Sequence, residues 1–353
     1  MDAALFVLLV RCGEDVPQIL STAAGGARSF GSQLFHAQDF RYRKTLEDFC
    51  DVCSVEVAQN LVHLELRAAY GAKVVRIMRL IAGSPSPLQS LYVQHNDGCL
   101  TDEVVRIVAD NCPDLLTLDV GDSRGEITDA SIKMVATNCR KLRSLDVSDT
   151  GGEITDPSIK LVARNRRQLQ SLNVGETLRL PKYMSPDSPF WKPEAVVTDV
   201  SMKRVATYCV HLRSLNVSST EGGITDETIK LLAMNCLQLE HLVVSNTKGK
   251  ITDDSMKLVA VRCIQLQSLD VSLTDGMVTD ETIALVGLHC LQLQFLDVGD
   301  RNGKITDESM KVVAVNCQHL KSLTIGGSES ITKASLRFLN PSCKVERYRC
   351  FHL

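Results

Sequence analysis

The chain carries 13 cysteines and eight histidines, so metal and thiol chemistry are the first questions. Seven cysteines (Cys112, Cys139, Cys209, Cys236, Cys263, Cys290 and Cys317) recur at one position of a periodic pattern. Zinc needs four converging ligands, and a line of single thiols does not supply them. Each of the seven therefore reads as a small buried hydrophobe. Cys50 and Cys53 form a CxxC, but no second ligand pair stands at a suitable spacing, so local helical packing is the reading there. The histidines form neither HExxH nor a Cys/His dyad, and the glycines sit in recurrent turns rather than in a phosphate-binding loop. No catalytic residue, metal site or cofactor is expected. An odd cysteine count with no framework of close pairs points to reduced thiols in a cytosolic or nuclear protein.

The acidic residues are more informative. Asp119, Asp146, Asn173, Asn216, Asp270 and Asp297 share one position of the pattern, and Asp122, Asp149, Glu176 and Asp300 stand three residues further along. Arg143 and Arg213 are minority neighbours. If all of these project outward from adjacent strands, they form an acidic stripe, and packed like charges favour a basic ligand. The competing reading is a solvated face that keeps the protein soluble. A lysine column (Lys133, Lys160, Lys203, Lys230, Lys257 and Lys311) lies four residues after a recurrent Asp, which suits i,i+4 pairing on helices.

The pattern that positions these residues is a repeat. Copies open at Leu61, Leu88, Leu115, Leu142, Leu169, Leu212, Leu239, Leu266, Leu293 and Leu320, and eight of the nine intervals are 27 residues. In each copy Leu-x-x-Leu-x-Val alternates inward and outward, as a short strand does. A Thr follows (Thr150, Thr177, Thr220, Thr247 and Thr274), then a Gly that permits a turn. Ile-Thr-Asp comes next, and its Asp is the expected helix N-cap. Apolar residues at helical spacing complete the copy, for example Ile132, Val135, Ala136 and Cys139.

One interval, Leu169 to Leu212, has 43 residues, so 16 are inserted. The insertion makes a loop at about 178–195 with four prolines, Tyr183, Phe190 and Trp191, the only Trp of the chain. A long turn without helical or strand pattern in a regular array is a binding candidate, and Trp beside Phe suits a hot spot.

These copies resemble the cysteine-containing leucine-rich repeats of F-box/leucine-rich-repeat proteins; Ile127-Thr128-Asp129, Val135-Ala136 and Cys139 carry the likeness, which extends from Leu61 to about Phe338. The resemblance implies an α/β leucine-rich-repeat solenoid, a horseshoe with parallel strands on the concave face and helices on the convex face. It implies a protein partner on the concave face and the inserted loop. Residues 1–43 are similar in outline to an F-box, with Asp15-Val16, Arg28, Phe30 and Phe40 to Arg43 in corresponding places. They lack its Leu-Pro start and terminal Trp, and Gly25-Gly26 interrupts them. This likeness implies the substrate-recognition subunit of an SCF-type cullin–RING ubiquitin ligase, docking the ligase adaptor through residues 1–43. The alternative is a free-standing scaffold with a degenerate N-terminal cap.

Composition sets the outer limits. The chain has 353 residues, 44% hydrophobic and 23% charged, enough for a folded core. A net charge of −3 and 5% aromatics give no reason to expect nucleic acid. No stretch is long and apolar enough to span a bilayer. The expected organisation is a helical N-terminal segment over 1–60, with Ala3 to Val10 as its first helix, then the repeat array over 61–353. The last copy carries Lys333 where Asp is expected, and Lys344 to Phe351 is the candidate final edge strand, with Arg347 and Arg349 as charges that discourage further stacking.

Overall fold

The computed structural model describes residues 7–12, 61–67, 72–81, 86–93, 100–123, 126–179, 194–300 and 303–347. The chain divides into two compact units, Met1–Arg166 and Arg167–Leu353.

In the first unit, strands Leu61–Arg67, Ser90–Tyr92, Thr117–Asp119 and Ser144–Asp146 form a parallel ladder, with Leu64, Leu91, Leu118 and Leu145 in register. Each strand is followed by a ten-residue helix: Ala72–Ile81, Asp102–Asn111, Asp129–Asn138 and Asp156–Asn165. In the second unit the ladder runs through Ser171–Asn173, Ser214–Asn216, His241–Val243, Ser268–Asp270, Phe295–Asp297, Ser322–Thr324 and Lys344–Glu346. Helices Asp199–Tyr208, Asp226–Asn235, Asp253–Arg262, Asp280–His289 and Asp307–Asn316 alternate with its strands, and a short helix, Lys333–Leu336, precedes the last. Parallel strands need such crossovers, and a helix supplies them compactly.

The core is the stack of inward positions. Leu142, Leu145, Val147, Ile154, Ile159, Val162 and Ala163 of one copy are at most 1% exposed, and other copies repeat the arrangement. The seven recurrent cysteines are buried in the same layer. Burial pushes their thiols up, to about 12 for Cys139, Cys209, Cys236, Cys263 and Cys290 and about 11 for Cys112 and Cys317. Thiols held that far from thiolate are poor nucleophiles and poor metal ligands. Where the sequence substitutes Arg166, the guanidinium is also buried; its Nε and Nη2 donate to the Ala136 carbonyl at 3.1 and 2.7 Å.

Two sequence expectations are corrected here. Val7–Cys12 is a strand, not part of a helix, and pairs antiparallel with Leu61–Arg67. The run Val-Leu-Leu-Val suits either element, and the open edge of the first repeat strand decides, because an unpaired edge is costly to leave exposed. The other helices expected within 1–60, Cys50 and Cys53, and the F-box-like positions from Asp15 to Arg43 lie outside the described residues.

The helix N-cap is the Thr of Ile-Thr-Asp, not the Asp. Thr128, Thr198, Thr225, Thr252, Thr279 and Thr306 are extended residues whose hydroxyls accept the N–H two residues on. The Asp is the first helical residue, and its carboxylate joins copies. Asp199 accepts the N–H and O–H of Thr225 at 3.0 and 2.7 Å, and the Thr228 hydroxyl at 2.6 Å. Asp226, Asp253, Asp280 and Asp307 receive Thr252, Thr279, Thr306 and Thr332 in the same way, as Asp102 and Asp129 receive Thr128 and Thr155 in the first unit. Hydrogen bonds from Ser335 and Thr332 hold the Asp307 carboxyl below its usual range. Lys333 fills the Asp position of the last copy described, and among the described residues no Thr follows it to need an acceptor.

Candidate functional site

The open sheet face is built from the two outward residues of each three-residue strand. The first is small in most copies: Ser90, Thr117, Ser144, Ser171, Ser214, Ser268 and Ser322. The second carries the Asp/Asn column. In the first unit Asp119 and Asp146 are register partners, and in the second Asn173 pairs with Asn216 and Asp270 with Asp297.

Each column member also holds the turn that follows it. Oδ1 accepts the backbone N–H two residues on: Gly121 to Asp119 at 3.1 Å, Ser148 to Asp146 at 2.9 Å, Gly175 to Asn173 at 3.0 Å, Ser218 to Asn216 at 2.9 Å, Ser272 to Asp270 at 2.9 Å and Gly299 to Asp297 at 2.9 Å. Asp and Asn are interchangeable for this bond, because both present a carbonyl-type oxygen at that position. The column is therefore part of the fold as well as a candidate contact surface. Sequence reading did not identify that bond, although Asn173 and Asn216 among the aspartates were a signal for it.

Charge is concentrated at the second unit's sheet end. Burial, with Asp270 and Glu346 beside it, pushes the Asp297 carboxyl up to about 6, although the Gly299 N–H works against the shift. Neighbouring carboxylates disfavour a second negative charge.

The remaining candidates separate. Asp122, Asp149 and Glu176 are not strand residues; they have φ of 54°, 48° and 57° and make the left-handed turn beyond the strand. Asp tolerates that conformation because its short side chain bonds locally. Asp300 is buried at 5% exposure, and its Oδ2 accepts the Gly276 N–H at 2.8 Å, so it braces a turn instead of facing a ligand. Arg143 is exposed beside Asp146's strand. Arg213 is exposed and its guanidinium lies 2.7 Å from Glu240 of the next copy. The lysine column also differs from expectation in the second unit. Lys203, Lys230 and Lys257 reach forward to Glu227, Asp254 and Glu281, whereas Lys133 makes the i,i+4 pair with Asp129 at 3.6 Å.

Tyr183, Phe190 and Trp191 lie outside the described residues. The base of their loop is described: Leu178–Arg179 pairs antiparallel with Glu194–Ala195. The returning chain passes tightly over the next copy. A Cβ on Gly223 would stand 2.5 Å from Ala195 Cβ and 2.9 Å from the Val197 carbonyl oxygen, which requires glycine there. Among the described residues no His, Cys, Asp or Glu cluster could hold a metal, and no helix is long and apolar enough to cross a membrane.

No protein-family model matches the chain, and no curated protein matches it in sequence. Solved structures do match its fold. An internalin from Listeria monocytogenes is similar at 18% identity and a TM-score of 0.50, over 89% of this chain and 96% of that one. A chain of the Rad7 and Elc1 complex in yeast is similar at 15% identity and a TM-score of 0.50, over 94% of this chain and 90% of that one. The fold is an α/β leucine-rich-repeat solenoid.

Proposed function

We propose that this chain is a non-enzymatic protein-interaction protein whose open sheet face binds a basic segment of a partner. The observation that supports this is the in-register pair Asp270 and Asp297, with Glu346 near enough to help raise the Asp297 carboxyl to about 6. The half-buried Ser268, Ser272 and Ser322 are small neighbours of the pair, and the exposed Phe295 flanks it on the Asp297 strand. A lysine or arginine placed over the pair relieves the repulsion and favours both carboxylates in their charged form. Asp146, only half-buried, extends the same chemistry to the first unit, whereas Asp119 is 6% exposed and braces the turn at Gly121. In this reading Tyr183, Phe190 and Trp191 add apolar contacts from the loop on the Leu178–Arg179 stem.

The test is a comparison of captured partners. The full chain and its Asp270→Asn/Asp297→Asn variant are used as bait at rising salt, with partners identified by mass spectrometry. Asn keeps the bonds to Ser272 and Gly299, so the fold is retained and salt-sensitive partners are lost. An unchanged partner profile would return the pair to a solvated face.

A narrower reading makes the chain the substrate-recognition subunit of an SCF-type cullin–RING ligase, acting in the cytoplasm or nucleus. The F-box-like pattern ending at Phe40 to Arg43 favours it, as does the fold likeness to a chain of the Rad7 and Elc1 complex. The strand at Val7–Cys12 weighs against it, since that segment was expected to be the first F-box-like helix. The free-standing scaffold needs no adaptor. Retention of a cullin adaptor by the full chain, lost on Phe40→Ala/Arg43→Ala substitution, separates the two; no retention sinks the ligase reading.

A further inference from the structure

In the second unit the helix ends present a run of exposed apolar side chains that the core does not use. One column is the second-last helical residue and the other is the residue after the buried Cys. Met234 and Leu237, Val261 and Ile264, and Leu288 and Leu291 are 44–54% exposed. Val210 extends the run at one end, 42% exposed, and Val315 at the other, 49% exposed.

These side chains are neighbours across copies. The cysteine beside each pair reaches the corresponding cysteine's carbonyl oxygen in the preceding copy, from Sγ at 3.5 Å for Cys236, 4.0 Å for Cys263, 3.8 Å for Cys290 and 3.7 Å for Cys317. The ridge is therefore continuous. Neither column carries a charge between its ends, and the residues after the three full pairs, Gln238, Gln265 and Gln292, are exposed and uncharged.

Eight such side chains, each about half exposed, present on the order of 600 Å² of apolar surface, the upper end for the largest patch on a typical monomer. Two such surfaces face to face cover about 1,200 Å², the threshold of a standard specific interface, and their polar margins carry the total above it. The order of the rows adds a second argument. The three full rows match about the middle one, with Met234 and Leu237 on one side of Val261 and Ile264 and Leu288 and Leu291 on the other; the end rows differ, Val210 standing with Thr207 and Val315 with Gln318. A two-fold contact needs a surface that matches its own reverse.

We propose that this ridge is the interface with a second copy of the chain, joined by a two-fold axis through Ile264. Met234 and Leu237 then meet the partner's Leu288 and Leu291, and Val261 and Ile264 meet their own counterparts. The sheet face stays open in this arrangement, so each dimer offers two binding faces.

The mass of the full chain in solution tests this. Sedimentation equilibrium gives twice the monomer mass, and Leu237→Glu/Leu291→Glu weakens self-association at least a hundredfold. Leu273→Glu, at an exposed apolar residue away from both columns, leaves it unchanged. Circular dichroism melts confirm that each variant folds. Ile264→Cys tests the axis without adding charge: mild oxidation cross-links it to a covalent dimer beyond the level of the unsubstituted chain. A chain that stays monomeric up to about 100 μM, where even weak specific contacts form, overturns the proposal. So does a charged double variant that associates as before, or an Ile264→Cys chain that gains no cross-link.

Discussion

The two units carry the same interior beneath different ridges. At the helix ends of the first unit stand Asp110 and Pro113, Thr137 and Arg140, and Arg164, all exposed. Copies there are linked by polar contacts, Asn138 to Asp110 at 2.6 Å and Lys141 to Asp114 at 2.8 Å. The equivalent places in the second unit hold the Val, Met, Leu and Ile ridge. Inside, Leu118 and Leu145 match Leu242 and Leu269 in register and burial. A repeat thus separates two tasks: inward positions answer to the neighbouring copy and are uniform, whereas outward positions answer to solvent or a partner and differ between units.

Equal interiors predict equal costs. Leu145→Ala in the first unit and Leu269→Ala in the second each lose about 2–5 kcal/mol in urea unfolding, since each empties a fully packed site. A clear difference between the two would break the comparison at its root. The Asp ladder gives the next effect. Asp253→Ala leaves the Thr279 N–H and the Thr279 and Thr282 hydroxyls without their acceptor and costs about 2–4 kcal/mol. Lys333→Asp, at the same position with no Thr after it among the described residues, changes stability by no more than about 1 kcal/mol, the range of a helix-end charge. Equal effects from the two substitutions would refute the ladder's role.

Smaller effects sharpen what belongs to the second unit alone. Gly223→Ala forces Ala195 or the Val197 carbonyl to move and costs about 1–3 kcal/mol, with faster proteolysis in the inserted loop. Wild-type proteolysis rates would show that the stem yields freely. The smallest expected change is at Asp297. Its folded carboxyl titrates near 6, above the unfolded range, so the folded state binds the proton more tightly. Its penalty is absent below about pH 4, grows as pH rises through the shifted value, and is complete above it. Asp297→Asn therefore flattens that part of the stability–pH profile. It raises stability at pH 7 by about 1 kcal/mol once solvent screening is allowed for. An unaltered profile would assign the slope to other groups.

Much of this architecture was legible in the sequence, for a physical reason. A 27-residue period places each Leu beside its own counterpart, so Leu145 needs no distant information to find Leu118. What failed depended on a neighbour the pattern does not name. Thr and Asp are both good caps, and only the next copy's Thr hydroxyl shows that the Asp is spoken for. The Ser or Thr two residues after each Asp, such as Thr228 and Ser255, was the overlooked signal. Val7–Cys12 meets a strand far along the chain, Val7 facing Arg67 and Cys12 facing Leu61, beyond local periodicity. Asp300 looked like a face residue because its spacing matched Asp122 and Asp149, but its turn folds it inward onto Gly276. The ridge was hidden for the opposite reason: Met234 and Leu237 share the spacing of core residues, so their letters alone do not reveal that they point to water.

The aspartate ladder also sets a direction in time. Seven of these carboxylates, from Asp102 to Asp307, accept from a Thr 25 or 26 residues further toward the C-terminus. During synthesis the newest copy therefore holds an unanswered carboxylate until the next has been made, a delay of about 1–5 s at ordinary elongation rates. The nascent stack closes one copy behind the ribosome, each copy secured by its successor. Lys333, at the same position, brings no carboxylate that must wait for a following Thr.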